Sequence, residues 1–209
     1  MYAAQRQYDK AVEAYTQGNR LGEKCEERRI QAFAFDGLAR CAADSGQIRW
    51  ARPQLDEGTI LVQETDSSWQ HGVTMVRRAI SDIKSDEIDR ALNNLDVALA
   101  HFEGESADLV ECRTRLYKSL ALQSRGDTEL VNAELERMAE ILGVEGRDPY
   151  FLVSDIVRTA QLREMVCHLP WLELVSENLG MQVDYVLSAI GQVEQDRQFT
   201  HTEWQGDSV

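Results

Sequence analysis

The sequence has little proline and no long apolar run, and both absences bear on its fold class. Only three of the 209 residues are proline, so long helices can continue without the break that an internal proline causes. No apolar run approaches the ~20 residues that a membrane-spanning helix needs. The N-terminal stretch, MYAAQRQYDK, lacks the basic-then-apolar order of a signal peptide. We therefore expect a cytoplasmic, helical protein that does not enter a membrane.

The sequence also lacks the residue spacings of metal and catalytic sites. Its four cysteines lie far apart, at positions 25, 41, 112 and 167, without the paired spacing that zinc sites require. No two histidines are four residues apart, and no glycine-rich phosphate loop is present. Catalysis needs converging titratable groups, and the sequence shows no such set. We predict reduced, packed thiols and a non-catalytic protein without a metal or a cofactor.

Positive charge is scarce. The 22 lysines and arginines are outnumbered by 36 aspartates and glutamates, which gives a net charge of −14. Such a chain repels phosphate backbones, so we predict no direct binding to nucleic acid. Residues 174–190 have the spacing of a helix-turn-helix, but the stretch from Met181 to Val193 contains no lysine or arginine to contact DNA. The charge favours a partner with a basic face, although it can also serve solubility alone.

The strongest positive signal is a pattern that recurs every 40 residues. A small, a large and a small residue stand at positions 51, 55 and 58, and a glycine at position 46 precedes them. The small residues let a neighbouring helix approach, and the large one fills the space between the helices. The related triplets are Ala11/Tyr15/Gly18, Ala51/Leu55/Gly58, Ala91/Leu95/Ala98 and Val131/Leu135/Met138, and the turn residues are Gly46, Asp86 and Gly126. A period of this length indicates a repeat array.

Apolar spacing and turn residues predict a series of helices within the array. We place them at about residues 8–24, 30–44, 47–64, 69–84, 87–102, 107–124 and 128–142, with a capping cluster at Asp66, Ser67 and Ser68. After Gly143 the period fails, and further helices are predicted near residues 151–167, 170–179 and 181–199. The predicted organisation is therefore a repeat array over 1–143, a C-terminal helical cap over 144–199 and a flexible tail over 200–209.

The small-large-small triplet resembles the second helix of tetratricopeptide repeats, over roughly residues 8–142. Phe35, Leu38 and Ala39 fit the first-helix pattern of that family, whereas Arg78 and Asp82 stand where apolar residues are expected. Tetratricopeptide repeats usually recur every ~34 residues; HEAT repeats have a period nearer 40, but the triplet favours the tetratricopeptide family. The long period resembles the repeats of bacterial regulators of the maltose-activator type.

The resemblance implies a fold and a function. The implied fold is an all-α, right-handed solenoid of antiparallel helix pairs. The implied function is binding of another protein or a peptide, as the regulatory part of a larger signalling or transcription-regulator protein. The alternative is a sensor domain that holds a small-molecule effector in its groove.

In the usual tetratricopeptide register, the first helix of each pair lines the concave groove. This register predicts a ligand or partner groove lined by Asp36, Arg40, Asp44, Val73, Val76, Ile80, Ile83, Arg113, Leu116 and Gln123. The alternative interpretation is that the valine and isoleucine stripe is core, with the register off by one, because apolar stripes at helical spacing usually pack inside.

The N-terminal end of the array looks incomplete. The helix at 8–24 has the pattern of a second helix, yet too few residues precede it to form a first helix. We therefore expect a longer parent chain with more repeats and an effector domain upstream; the alternative is a small free-standing protein. Tyr2 and Tyr8 would leave this end apolar, so self-association through it, or through the helix at 181–199, is a further expectation.

Overall fold

The computed structural model describes residues 7–65, 67–102 and 107–142, together with the single positions 152, 155, 156, 159 and 162. Within those residues the regular secondary structure is entirely α-helical, which confirms the all-α part of the predicted fold class. The helices are α1 (Tyr8–Lys24), α2 (Arg28–Asp44), α3 (Ile48–Gln63), α4 (Ser68–Lys84), α5 (Ile88–Phe102), α6 (Asp108–Arg125) and α7 (Thr128–Leu142). The predicted cap, its helix at 181–199, the tail and the N-terminal residues before Gln7 lie outside the described residues, apart from those five positions.

The helices begin at constant intervals. The odd-numbered helices start at residues 8, 48, 88 and 128, and the even-numbered ones at 28, 68 and 108. Both series therefore repeat every 40 residues, as the sequence pattern predicted. The predicted ends agree with the observed ones to within two residues. None of the helices in the described ranges is both long and apolar enough to cross a bilayer.

The predicted turn residues close the even-numbered helices in one shared geometry. Gly46, Asp86 and Gly126 have φ angles of 80°, 60° and 90°, in the left-handed region that glycine and, less readily, aspartate adopt. The next residue in each turn donates its backbone N–H to the carbonyl oxygen five residues earlier, at 2.7, 2.9 and 3.0 Å. This is the bond of a Schellman motif, which satisfies carbonyls that a helix end leaves open. Identical turns explain the constant interval between helix starts.

Ser67, from the predicted capping cluster, caps α4. The backbone N–H of Gln70 donates to the Ser67 side chain at 3.3 Å, and Ser67 has the extended conformation of an N-cap residue. Such a cap satisfies one of the donors that the first helical turn leaves open, and its loss typically costs about 1 kcal/mol. Asp66 lies outside the described residues, and the residues before α1, α2, α3 and α6 make no side-chain cap hydrogen bond.

The described residues fall into two compact units, residues 1–130 and 131–209. In the first unit, each helix from α1 to α6 packs against the next, and α4 also contacts both α2 and α6. Small and large residues of the triplets lie in its interior. Ala51 and Ala91 are fully buried, and Leu55 and Leu95 are at most 4% exposed. In the second unit, the triplet Val131, Leu135 and Met138 is likewise buried.

Two glycines in the first unit receive aromatic rings from a neighbouring helix. A methyl group at Gly37 of α2 would overlap the ring of Tyr15 on α1, and one at Gly72 of α4 would overlap the ring of Phe102 on α5. Phe102 is 1% exposed and lies in a core cluster with Val76 and Ala98. Burial of a phenylalanine stabilises a fold by roughly 2–3 kcal/mol, and here that burial depends on the missing side chain of Gly72.

Candidate functional site

Charged side chains from three even-numbered helices converge in the first unit. Arg40 lies on α2, Arg77 on α4 and Arg113 on α6, and the buried carboxylate of Asp36 lies beside Arg77. The contacts of α4 with both α2 and α6 bring these positions together. We refer to the three arginines around Asp36, with Asp44 and Lys84 at the rim, as the arginine face.

Asp36 and Arg77 form the buried centre of the arginine face. The Nε atom of Arg77 lies 3.1 Å from Oδ2 of Asp36, and the two side chains are 22% and 7% exposed. The second carboxylate oxygen, Oδ1, is buried without a hydrogen-bond partner among the described residues. Burial raises the pKa of Asp36 to about 6, and the charge of Arg77 partly opposes that rise. A buried carboxylate with a strongly shifted pKa is a frequent mark of a functional site.

The arginines crowd one another. Burial is the main cause that lowers the pKa of Arg77, while Asp36 opposes it. Arg113 and Arg40 lower that pKa further, because each places a like charge near the Arg77 guanidinium. The cluster therefore brings three guanidinium groups within electrostatic range of one another around one buried carboxylate. Like charges brought together in a partly desolvated site are relieved when an anion binds.

The rim of the arginine face carries a bridging carboxylate. Asp44 lies 2.9 Å from the Nζ atom of Lys84 and 3.6 Å from the Nε atom of Arg40. With this rim included, the named groups of the arginine face are four cations and two carboxylates. The whole chain has a net charge of −14. The arginine face therefore concentrates cationic side chains in a chain that is acidic overall.

An aromatic pair lies next to the arginine face. The ring centroids of Tyr15 and Phe33 are 6.3 Å apart, and Tyr15 also interacts electrostatically with Arg77. Phe33 is 59% exposed, which is unusual for a large aromatic side chain. An accessible aromatic ring beside cationic groups offers a partner an apolar contact in addition to ion pairs.

The structure distributes the ten predicted groove residues among three environments. Asp36, Arg40, Asp44 and Arg113 belong to the arginine face. Val76 lies in the core with Ala98 and Phe102, and Val73 and Ile80 pack against that core. Leu116 is fully buried, Ile83 is half-buried and Gln123 is exposed. The charged members of the predicted groove are thus brought together, whereas the apolar members on α4 lie in or against the interior.

Arg77 was not among the predicted groove residues, although it lies at the centre of the arginine face. Arg77 is adjacent to Val76, which the predicted groove stripe included, and neighbouring residues on a helix point in different directions. A signal was nevertheless present. The equivalent positions one period away are Gly37 and Tyr117, so a charged residue at this position is peculiar to α4.

Two histidines and a serine lie close together at helix ends of the first unit. The rings of His71 and His101 lie 5.3 Å apart, and Nε2 of His71 donates to the carbonyl of Val62 at 2.7 Å. The hydroxyl of Ser68 donates to the His101 carbonyl at 3.0 Å and lies 3.1 Å from Nδ1 of the same histidine. These contacts join the ends of α3, α4 and α5. No group of three metal-ligating side chains occurs among the described residues.

Comparison with known proteins does not assign the chain to a family. No protein-family model and no curated protein matches it. The arginine face is therefore interpreted from its own geometry and charge.

Proposed function

We propose that this chain is a non-catalytic binding module that holds an acidic segment of another protein on its arginine face, as the regulatory or interaction part of a larger protein. The observation that carries the proposal is the convergence of Arg40, Arg77 and Arg113 from three helices around one buried carboxylate. A repeat array is suited to this role, because stacked helix pairs present a continuous surface to a partner.

The arginine face supplies two kinds of contact to such a segment. Guanidinium groups pair with carboxylates through two parallel hydrogen bonds, which are short and strong because both partners are charged. Phe33, 59% exposed, supplies an apolar contact beside them. A segment with two or more carboxylates and one apolar or aromatic side chain matches this combination. The concentration of cationic side chains also attracts an acidic segment over a distance, and salt weakens that attraction.

Charge reversal at the edge of the arginine face tests the proposal. The probe is a fluorescently labelled peptide of aspartates and glutamates with one tryptophan, and binding is followed by fluorescence anisotropy. We expect the Arg40→Glu and Arg113→Glu variants each to weaken binding about ten-fold or more, while the melting temperature stays nearly unchanged. Binding of the wild-type protein should also weaken as salt is raised.

Two controls make the result specific. Arg49→Glu changes an exposed arginine on α3, outside the arginine face, by the same two charges. A lysine-rich peptide of equal length tests the opposite prediction, that the acidic surface of the chain selects a basic partner. The proposal is wrong if the lysine-rich peptide binds more tightly than the acidic one, or if Arg49→Glu weakens binding as much as the two arginine-face variants. A large loss of stability in those variants would instead assign the two arginines to folding.

The alternative function, a small effector held in the same groove, predicts a different observation. A bound metabolite would add a fixed mass to the purified protein in native mass spectrometry, and Arg40→Glu would remove that mass. A protein partner captured by the chain, without an added mass on the chain itself, supports the binding-module function.

A further inference from the structure

The two residues that depart from the repeat pattern, Arg78 and Asp82, line a cleft between α3, α4 and α5. The cleft has a volume of about 240 Å³. Arg52 from α3 and Arg90 and Asn94 from α5 complete its polar lining, and Leu55 and Met75 contribute an apolar part. Arg78 follows Arg77 directly, and successive residues on a helix face different directions. The cleft therefore shares no lining residue with the arginine face.

Asp82 organises the donors of the cleft. Its side chain is 4% exposed; Oδ1 accepts a hydrogen bond from Arg52, and Oδ2 accepts one from Asn94 at 2.8 Å. Arg90 lies within 3.8 Å of the same carboxylate. Both arginines remain about half exposed, at 45% and 47%. A buried carboxylate thus holds Arg52 through a hydrogen bond and lies near Arg90, while both guanidinium groups remain accessible to solvent.

The donors in the cleft exceed the contacts that the protein makes with them. A guanidinium group has five N–H donors, and Arg52 makes one hydrogen bond, to Asp82. Arg90 makes no hydrogen bond among the described residues; Glu87 lies 3.5 Å from it. Arg78 donates to Thr59 and Asp56 at 2.7 and 2.6 Å. Two arginines therefore retain donors that an incoming oxyanion could accept from.

The residues that line this cleft can be compared with the residues at the equivalent positions one period away. One period earlier, the positions equivalent to Arg52, Arg78, Asp82 and Arg90 are Val12, Leu38, Ala42 and Trp50. One period later they are Leu92, Lys118, Leu122 and Leu130. Seven of these eight equivalents are apolar. The equivalent positions are therefore mostly apolar, although Val12, Trp50 and Leu130 among them are exposed.

The repeat pattern does not account for these charges. Asp82 is buried, but Arg52 and Arg90 keep about half of their side-chain surface exposed. Ion pairs with exposed partners contribute little to stability, so the charges suit binding better than folding. We infer that the cleft binds a small molecule carrying a phosphate or carboxylate group, with Arg52 and Arg90 as its ligands and Asp82 as the positioning residue.

The dimensions and lining narrow the ligand class. The volume of about 240 Å³ lies below the ~300–1,000 Å³ of sites for drug-sized molecules, so the ligand is small. Paired guanidinium groups match the geometry of phosphate and carboxylate oxygens. Leu55 and Met75 leave room for a short apolar body next to the anionic group. A short phosphorylated or dicarboxylic metabolite fits this description.

The test uses two probes, inorganic phosphate and succinate, measured by isothermal titration calorimetry on the full chain. We expect the wild-type protein to bind at least one of them with one-to-one stoichiometry, and the stronger probe identifies the phosphate or the carboxylate source. Arg90→Gln should weaken that binding about ten-fold, because the variant keeps the side-chain length and loses the charge. Arg49→Gln, an exposed arginine on the same helix as Arg52, should leave it unchanged.

A second variant separates binding from folding. The substitutions Arg52→Val, Arg78→Leu, Asp82→Ala and Arg90→Trp transfer the residues of the preceding junction into the cleft. We expect this variant to be at least as stable as the wild type and to lose anion binding altogether. The inference is overturned if the wild type binds neither probe, or if Arg49→Gln weakens binding as much as Arg90→Gln. Arg40→Glu should weaken peptide binding at the arginine face and leave anion binding in the cleft unchanged. A failure of the cleft inference can therefore be distinguished from a failure of the proposed peptide site.

Discussion

Asp36 and Asp82 are both buried aspartates on even-numbered helices beside arginines, and they differ in how their oxygens are satisfied. Asp36 is 5% exposed and Asp82 is 3% exposed. Both oxygens of Asp82 accept hydrogen bonds, from Arg52 and Asn94. Asp36 has one close cationic partner, Arg77, and its Oδ1 atom has no hydrogen-bond partner among the described residues. Equal burial therefore produces two different electrostatic environments.

The difference shows what each aspartate does for its arginines. A fully satisfied carboxylate such as Asp82 orients the groups around it, and its replacement frees the arginines to move. A partly satisfied carboxylate such as Asp36 lacks enough partners for its charged form, and its burial raises its pKa to about 6. Asp82 thus serves as a fixed support, whereas Asp36 is a group whose charge changes near neutral pH.

Loss of Arg77 should have the largest effect on stability. Arg77→Met leaves Asp36 buried without its cationic partner, which costs about 3 kcal/mol of unfolding free energy at neutral pH. The cost should fall near pH 5, because Asp36 without Arg77 is protonated there and carries no charge. Urea denaturation at both pH values measures this, with the exposed Arg49→Met as the matched control. An equal loss of stability at the two pH values would contradict the charged state assigned to Asp36.

The pH dependence contributed by Asp36 should be the next largest effect. Its pKa is raised from 3.8 to about 6 in the fold, so the folded state binds this proton more tightly than the unfolded chain. The stabilisation is therefore fully present below pH ~4 and is lost as the pH rises through about 6. Asp36→Asn should remove this component, up to ~3 kcal/mol, from the pH profile of unfolding. Asp44→Asn, at the exposed rim, is the matched control.

Replacement of Asp82 should have a smaller effect on stability. Asp82→Ala removes the hydrogen bonds of Arg52 and Asn94, but the arginine is half exposed and water can solvate it. We expect a loss of about 1–2 kcal/mol in urea denaturation at neutral pH. A loss of unfolding free energy larger than that caused by Arg77→Met would contradict the prediction that the Asp36–Arg77 pair contributes more to stability than Asp82 does.

The smallest effect on stability should come from Arg90. Its side chain is 47% exposed and its nearest carboxylate oxygens are at 3.5 and 3.8 Å. Exposed pairs of this kind contribute at most a few tenths of a kcal/mol. Arg90→Gln should therefore unfold at the same urea concentration as the wild type, within error. A clear loss of stability would mean that Arg90 supports the junction between helices.

Helix positions were predictable because they depend on local signals. Glycine or aspartate at the left-handed turn position, Ser67 before α4 and the spacing of small residues each fix a helix end or face through nearby atoms. The starts of α1 and α7 were predicted to the residue, and the others to within two. These signals act over a few residues, so they can be interpreted without knowledge of the packing between helices.

The sites were only partly predictable because they depend on contacts between helices. Arg40 and Arg113 were placed in the groove from the repeat register, and the departure of Arg78 and Asp82 from the apolar pattern was visible. The partners Arg52 and Arg90 lie on other helices, 30 and 8 residues from Asp82 in the sequence. No periodic pattern specifies which charged side chains meet across a helix junction, since that depends on the angle and distance between the helices.

The rings that enter Gly37 and Gly72 have a consequence for how this chain avoids misfolding. A chain with a 40-residue repeat could dock a helix against the wrong neighbour, one period out of step, and such misassembly is a characteristic failure of repeat proteins. Tyr15 one period out of step would meet Arg77 instead of Gly37. Phe102 one period out of step would meet Ala32 or Cys112 instead of Gly72. Each aromatic ring therefore fits against the glycine of one particular helix. This favours the correct pairing of helices over a pairing that is one period out of step.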